Sequence, residues 1–216
     1  VLAINDRSFE ERLKARRFAT PDGQPTVLGL LVIAVDPRGF VAGDYVQFLR
    51  IEGTELTDPI RDQKAIAGPL QELLRRLDEV LEAHNAVATE ISAGSREIRY
   101  PEYPIMALQQ LTRNAVMHRQ YDGTNAPVRV TWFRDRIEIQ NPGGPFGQVT
   151  RENFGQAGIT DYRNPHLAEA MKVLGYVQRF GVGLAIARRE LERKGNPPLE
   201  FEVEQGHVLA RVRRRP

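Results

Sequence analysis

The order in which helix-like and strand-like segments follow one another is the feature that most constrains how this chain folds. From residue 104 onwards the pattern reads helix, hairpin, glycine-rich loop, helix, glycine loop, helix and hairpin. A doubly wound parallel sheet needs strands and helices in regular alternation, whereas this chain has them in blocks. The order therefore predicts an α+β fold, a two-layer α/β sandwich preceded by a smaller α/β segment.

The N-terminal part carries three further predicted elements. Residues 27–35 form an almost unbroken apolar run rich in β-branched side chains, which predicts a strand covered on both faces. Residues 45–51 alternate like a half-buried strand, and apolar residues at helical spacing predict a long helix over residues 66–83. We place a domain boundary near residue 95, so that a segment of residues 1–95 precedes a domain of residues 96–216.

Composition narrows the class of protein. Of the 216 residues, 41% are hydrophobic and 27% charged, and no apolar run approaches the ~20 residues that a bilayer crossing needs. The start of the chain has no signal-peptide core, so we expect a cytoplasmic protein with no membrane partner. The absence of cysteine excludes disulfides and thiol catalysis, and the four histidines lack metal-ligand spacing. The single tryptophan, Trp132, is expected to be a packing residue.

The predicted helix from Ile105 to Arg119 carries the first candidate site. Gln110, Asn114 and His118 are four residues apart and therefore form one polar stripe opposite the apolar side of the helix. Two amides and an imidazole suit an anion, a hydrated magnesium ion or a ribose phosphate. They equally suit a solvated helix face, so the stripe alone leaves both interpretations open.

Two glycine-containing loops are the second and third candidates. Gly143 and Gly144 follow a predicted strand, and paired glycines expose backbone N–H groups to a flat base or a phosphate, although an ordinary turn is the alternative. Gly181 and Gly183 lead into a predicted helix whose N-terminus favours phosphate. The chain has no GxxxxGK[ST] sequence and no strand followed by GxGxxG, which argues against P-loop and dinucleotide sites.

The order and spacing of these motifs resemble a known family. The segments RNAVMHRQY, RIEIQNPGG and RNPHLAEAMKVLGYVQRFGVGLAIARREL are similar to the ATPase-like C-terminal module of transcriptional regulators with a Schlafen AlbA-type DNA-binding domain. The segments LGLLVIAVDPRGF and GPLQELLRRLDEVLE resemble the part that precedes this module, so the similarity covers most of the chain. The resemblance implies a GHKL-type (HATPase-like) fold, in which ATP lies between a mixed sheet and a flexible lid.

Within the first predicted helix of this module, the resemblance implies a magnesium site. Asn114 matches the asparagine that binds magnesium together with the nucleotide, and His118 with Arg119 matches a histidine–arginine pair of the family. Hydrolysing GHKL enzymes have a glutamate four residues before this asparagine, where the present chain has Gln110. Because an amide cannot accept a proton as a general base, we assign no catalytic residue and expect no rapid hydrolysis.

The resemblance also implies positions for the base and the phosphates of ATP. Asn141, with Gly143 and Gly144, falls where the superfamily has its adenine-reading aspartate and the following glycine, and Gly181 and Gly183 match the phosphate-side glycines. The carbonyl of Asn141 can still accept from an exocyclic amine, but without the charge of an aspartate. The cofactors implied are ATP and magnesium.

These expectations lead to three alternative functions. The first is an ATP-binding regulatory module of a DNA-binding transcriptional regulator, in which closure of the loop from Phe146 to Arg163 alters the docking of a DNA-binding part. The second is a slow magnesium-dependent ATPase, and the third a degenerate scaffold for dimerisation or protein interaction. The net charge is only +2 and the chain starts inside the family pattern, so we expect a fragment whose DNA contacts lie elsewhere. A homodimer is compatible with each alternative.

Overall fold

A computed structural model describes residues 6–85, 87–91, 97–156, 158–177 and 181–215, with the backbone alone for residues 87–91 and 97–100. The helices of this part of the chain are α1 (Phe9–Ala15), α2 (Val27–Ile33), α3 (Leu70–His84), α4 (Ile105–His118), α5 (Pro165–Val173) and α6 (Gly183–Lys194). Its strands are β1 (Val46–Ile51), β2 (Ile60–Ile66), β3 (Val87–Ile91), β4 (Glu97–Pro101), β5 (Val128–Trp132), β6 (Arg136–Pro142), β7 (Glu200–Val203) and β8 (His207–Arg213).

Six strands form one mixed sheet in the order β2-β1-β5-β6-β8-β7, and β3 pairs with β4 in a separate hairpin. Strands β1 and β5 run parallel, whereas the other neighbours in the sheet are antiparallel. The register of β6 and β8 pairs Asn141 with Val208. The end of β6, and with it the first glycine loop, therefore lies beside the turn between β7 and β8.

The two faces of the sheet differ in polarity. On one face, buried side chains such as Ile139 and Trp132 pack with α3, α4 and α6 in one hydrophobic core. On the other face, Glu138 accepts from Arg136 at 2.8 Å and from Arg211 at 2.9 Å. A sheet with one apolar and one charged face is covered by helices on a single side. The predicted α+β, two-layer fold is confirmed, as is the packing role of Trp132.

The strand predicted over residues 27–35 is wrong, because this segment forms α2. The hydroxyl of Thr26 accepts the N–H of Gly29 at 3.0 Å and caps the first turn. Gly29 and Leu31 are buried, and a β-carbon on Gly29 would lie 2.1 Å from the carbonyl oxygen of Phe18. Periodicity alone cannot distinguish an unbroken apolar run in a strand from one in a helix, so the cap and the packing against α3 and α5 decide the outcome.

The order of elements predicted from residue 104 onwards is confirmed by α4, the hairpin of β5 and β6, α5, α6 and the hairpin of β7 and β8. Helix α6 ends at Gly195, whose φ of 74° is the left-handed conformation that favours glycine after a helix. Strands β1 and β2 precede residue 95 but extend the sheet of β5 to β8, and the division into residues 1–95 and 96–216 stays a prediction. None of the helices described above is long and apolar enough to cross a membrane.

Candidate functional site

A cavity of about 290 Å³ lies where α4, the end of β6 and the first turn of α6 meet. Residues 146–163, here named the covering segment, form a further part of its wall together with Val177 and residues of β7 and β8; residue 157 of the covering segment is not described. The fold brings together three motifs that are far apart in the chain. The residues singled out in the sequence that line this cavity are Gln110, Asn114, His118, Asn141, Gly144, Gly181 and Gly183.

Helix α4 presents its polar stripe to the cavity. Gln110, Asn114 and His118 are each half-buried, and all three contribute to the cavity wall. Helix α6 crosses close to this stripe, since the side-chain oxygen of Gln110 lies 3.1 Å from the place of a β-carbon on Gly183. The stripe therefore faces a concave space, and its interpretation as a ligand site stays a prediction.

The ring of His118 stacks on the ring of Tyr162, with centroids 5.7 Å apart and planes inclined by 19°. Burial lowers the pKa of His118 to about 4; Arg163 acts in the same direction, and Asp161 opposes it. His118 is therefore neutral near pH 7. It offers the cavity an uncharged aromatic ring that can donate or accept one hydrogen bond.

Asn141 is buried at the end of β6. Its side-chain nitrogen donates to the carbonyl oxygens of Pro142 and Gly143, both at 3.3 Å. Because the backbone engages the amide nitrogen, the side-chain oxygen is the group left to accept from a ligand. This orientation is compatible with the acceptor role expected for Asn141.

The conformations of Gly143 and Gly144 are set by the neighbouring turn between β7 and β8. Their N–H groups donate to the carbonyl oxygens of Gly206 and Gln205 at 2.8 and 3.2 Å. A β-carbon on Gly144 would lie 2.2 Å from the carbonyl oxygen of Glu204, and Gly143 has a φ of 91°. The expectation that these N–H groups are exposed to a ligand is therefore wrong, because the turn uses them. Gly143 also does not belong to the cavity wall, unlike Gly144.

Helix α6 directs its N-terminus towards the cavity. Gly183, its first residue, lines the cavity together with Gly181, whose φ is 77°. Val182 precedes the helix and makes no side-chain cap. The first N–H groups of α6 and the positive end of its dipole are consequently available to an anion. Residues 178–180, which open this glycine motif, lie outside the described part of the chain.

Three arginines that the motif analysis missed also line the cavity: Arg113 on α4, Arg163 in the covering segment and Arg188 on α6. Arg113 and Arg163 each have a buried Nε without a hydrogen-bond partner among the described residues. Arg163 donates to the carbonyl oxygen of Gly144 at 3.2 Å and lies over the ring of Phe146. Helical spacing could have indicated Arg113, because it adjoins the polar stripe. The directions of the Arg163 and Arg188 side chains depend instead on contacts with residues that are distant in the sequence.

Arg119 points away from the cavity, although it follows His118 directly. It is buried and donates to the carbonyl oxygens of Ala126, at 2.8 and 3.1 Å, and Thr124, at 3.3 Å. Its guanidinium also lies over the ring of Tyr121. The histidine–arginine pair is therefore divided between two roles, because the histidine lines the cavity while the arginine holds the loop after α4.

Two of the contacts that attach the covering segment to the rest of the fold involve its middle part. Arg188 of α6 donates to the carbonyl oxygen of Gly155 at 2.6 Å. Phe154 meets the ring of Phe201 on β7 edge-on, with centroids 5.0 Å apart. Arg188 is itself exposed, so displacing this part of the segment costs less than opening the core.

Residues 125–212 match the model of the family described as "Putative ATP-dependent DNA helicase recG C-terminal". This part of the chain is therefore similar to an ATPase-like module, and residues 125–212 are here named the ATPase-like module. The match includes Asn141 and both glycine motifs, whereas α4 with its polar stripe precedes it. The cavity therefore lies between the ATPase-like module and α4.

Solved structures provide a second comparison. The crystal structure of the DIP2311 protein from Corynebacterium diphtheriae has a TM-score of 0.76 and 22% identity, over 100% of this chain and 43% of that protein. At this identity the likeness shows a shared fold, and the present chain spans less than half of that protein. The cytoplasmic segment of histidine kinase QseC has 15% identity over 94% of this chain and 87% of its own, but its TM-score of 0.30 supports no conclusion. Comparison with curated proteins found no significant match.

The wall between α4 and the ATPase-like module fits an anionic nucleotide. It contains three arginines and one carboxylate, Asp161, beside the uncapped end of α6. Magnesium prefers six oxygen ligands, and phosphates supply several of them in nucleotide sites. Asn114 and Asp161 offer side-chain oxygens in this wall, and the described residues contain no cluster of three or more metal-ligating side chains. A magnesium ion would therefore need the phosphates of the nucleotide to complete its coordination.

Proposed function

We propose that the chain is an ATP-binding regulatory module whose nucleotide lies between α4 and the ATPase-like module. The observation that carries this proposal is the convergence of the α4 stripe, Asn141 and the N-terminus of α6 on one cavity. The arginines of the wall complement the charge of a triphosphate. ATP together with magnesium is the ligand that these groups suit best.

Each motif then has a defined task. The first N–H groups of α6, with Gly181 and Gly183, bind the phosphates at the positive end of the helix dipole. Asn114 supplies an oxygen to a magnesium ion that the phosphates share. The side-chain oxygen of Asn141 accepts a hydrogen bond from the exocyclic amine of adenine.

Hydrolysis is slow in this proposal because of Gln110. Its carboxamide lies beside the first turn of α6, close to the proposed phosphate site. An amide can orient a water molecule but cannot take its proton. The regulatory signal is then the binding of the nucleotide, and not its hydrolysis. The alternative function is a slow magnesium-dependent ATPase, and a measurement of phosphate release distinguishes it from the proposed one.

The size of the cavity argues for a movement on binding. Its volume of about 290 Å³ is just below the ~300–1,000 Å³ typical of small-molecule sites. We therefore expect the covering segment to move outwards when ATP binds, and we assign the regulatory effect to this movement. A DNA-binding part elsewhere in the protein, or a second copy of the chain, is the partner whose docking would change. The open cavity speaks against a scaffold whose site has been filled by side chains.

A thermal-shift titration with ATP, ADP and a nonhydrolysable ATP analogue, each with magnesium, tests nucleotide binding. We expect a rise in melting temperature that grows with the logarithm of the nucleotide concentration, equivalent to about 2.7 kcal/mol at a ligand concentration of 100 Kd. Asn114→Ala should reduce the rise. Gln109→Ala is the matched control, because Gln109 is half-buried on the same helix but does not line the cavity. No rise at millimolar nucleotide in the unmodified protein would refute the proposal and favour the scaffold.

A further inference from the structure

A half-buried bridge links α3, α4 and the segment that leads to the phosphate-side glycines. Arg113 of α4 donates from Nη2 to the carboxylate of Asp78 on α3 at 2.9 Å, and from Nη1 to the carbonyl oxygen of Tyr176 at 3.3 Å. The guanidinium also lies over the Tyr176 ring, 5.3 Å from its centroid. The hydroxyl of Tyr176 donates to the carbonyl oxygen of Gln71 on α3 at 3.1 Å. One arginine and one tyrosine thus tie three parts of the chain together.

The Asp78–Arg113 pair differs from the other ion pairs of α3 in its burial. The side chains of Asp78 and Arg113 are 20% and 15% exposed, whereas those of Glu79 and Arg75, paired on the surface of the same helix, are 57% and 52% exposed. Burial raises the pKa of the Asp78 carboxyl, and the charge of Arg113 opposes that rise. A shielded pair of this kind specifies geometry, because removing one partner leaves the other charge uncompensated.

The bridge also occupies a particular place relative to the cavity. Arg113 lines the cavity and directly precedes Asn114, whereas Asp78 and Tyr176 do not line it. Tyr176 lies just after α5 and only a few residues before Gly181. The bridge therefore holds Tyr176 against the helix that carries the polar stripe; residues 178–180, between Tyr176 and Gly181, lie outside the described part of the chain.

We propose that the Asp78–Arg113–Tyr176 bridge positions the phosphate-side glycines against α4, so that nucleotide affinity depends on Asp78, a residue of α3 outside the cavity. This inference rests on the proposed ATP site. Asp78 is a positioning residue, since it acts through Arg113 and Tyr176 and touches no ligand. It makes α3 the element through which a change elsewhere in the first half of the chain can alter phosphate binding.

The test compares the affinities of ATP and adenosine, with magnesium, by isothermal titration calorimetry. In Asp78→Asn, ATP affinity should fall by about two- to thirtyfold, the range for residues that modulate a site without contacting its ligand. Adenosine affinity should change less than twofold, because the base contacts at Asn141 are not supported by the bridge. Asp78→Glu should restore much of the ATP affinity. A general loss of folding would lower both affinities and would not be rescued in this way.

Glu79→Gln is the matched control, because it removes a carboxylate from the neighbouring position of α3 that pairs with exposed Arg75. Tyr176→Phe, which removes the bond to Gln71 alone, gives a second measurement if Asp78→Asn does not fold, and should weaken ATP selectively. Equal changes for ATP and adenosine, or no change in either variant, would overturn the role of the bridge while leaving the ATP site intact. Failure of the unmodified protein to bind ATP would instead refute the proposed function.

Discussion

The side-chain oxygen of Gln110 lies 3.1 Å from the place that a β-carbon on Gly183 would occupy. The carboxamide is therefore next to the first turn of α6, where we propose that the phosphates bind. Gln110→Glu should introduce a general base at this point and increase magnesium-dependent ATP hydrolysis by up to about 10²–10⁴-fold, the usual contribution of such a base. Release of inorganic phosphate measures the change.

The control for this substitution is Gln109→Glu, which adds the same charge to the same helix outside the cavity wall. It should leave phosphate release at the level of the unmodified protein. Rapid hydrolysis by the unmodified protein, with no gain in Gln110→Glu, would contradict the assignment of Gln110.

Loss of the Arg188 side chain should loosen the covering segment. Arg188→Ala removes the hydrogen bond to the carbonyl oxygen of Gly155, worth about 0.5–1.5 kcal/mol, so amide exchange in the covering segment should accelerate by about two- to tenfold. Hydrogen–deuterium exchange followed by mass spectrometry locates the effect. Arg189→Ala, at an exposed position outside the cavity wall, should not change the exchange, and equal exchange in both variants would show that Arg188 does not hold the segment.

Gly144→Ala should destabilise the fold through the neighbouring hairpin. The added methyl group would lie 2.2 Å and 2.5 Å from the carbonyl oxygens of Glu204 and Gln205, so one backbone must shift. We expect a loss of about 1–3 kcal/mol in the free energy of unfolding, as for overpacked sites. Urea denaturation measures it, and Gly206→Ala is the control, since a β-carbon there would meet no atom within 4 Å. Equal free energies of unfolding for the two variants would refute the close approach of Gly144 to the carbonyl oxygens of Glu204 and Gln205.

The His118 ring should remain neutral until the pH is well below 6. Its pKa in the folded protein is about 4, below the ordinary value of 6.5, so the unfolded chain takes up a proton first as the pH falls. The free energy of unfolding should therefore decrease between pH 6.5 and 4, by at most about 1.4 kcal/mol per pH unit. His118→Phe should lack this decrease. An NMR titration of the imidazole with a midpoint near 6.5 would contradict the burial of the ring.

Asp44 should give the free energy of unfolding the opposite dependence on pH. Burial raises its pKa from 3.8 to about 7, even though nearby Arg119 acts to lower it. Between these values the folded protein holds a proton that the unfolded chain has lost, so stability should fall as the pH rises from 4 to 7 and level off above. Asp44→Asn should remove this fall, whereas Asp122→Asn, at an exposed position, should retain it. The pH ranges over which Asp44 and His118 change the free energy of unfolding overlap. The denaturation curve of each variant is therefore compared with that of the unmodified protein at every pH.

The local pattern of apolar and polar residues predicted most helices and strands. It failed where the burial of the side chains did not follow that pattern. Strand β2 (Ile60–Ile66) went unrecognised because it is an edge strand, paired only with β1 and exposed along most of its length. Helix α2 was mistaken for a strand because its apolar run has no periodicity, and the cap at Thr26 became decisive only with the packing of Gly29. Both errors arise where tertiary contacts override the local signal.

In the candidate site, too, the sequence predicted some residues, whereas tertiary contacts determined the roles of others. Helical spacing placed Gln110, Asn114 and His118 on one side of α4, and all three line the cavity. For Gly144 the sequence indicated the need for glycine, but the reason lies in the approach of Glu204 and not in a ligand. The contribution of Arg163 has no local sequence signal, because its direction is set by contacts with Gly144 and Phe146.

By itself the sequence determined the order of the elements in the second half, the polar stripe of α4 and the glycine entry to α6, because periodicity and backbone chemistry act over a few residues. Tertiary structure decided which of these features share one cavity, that Arg113 joins α3 to the phosphate side, and that Arg119 turns away from its neighbour His118. These outcomes depend on partners such as Asp78 and Ala126. No local pattern encodes the partners, because they meet only when the chain has folded.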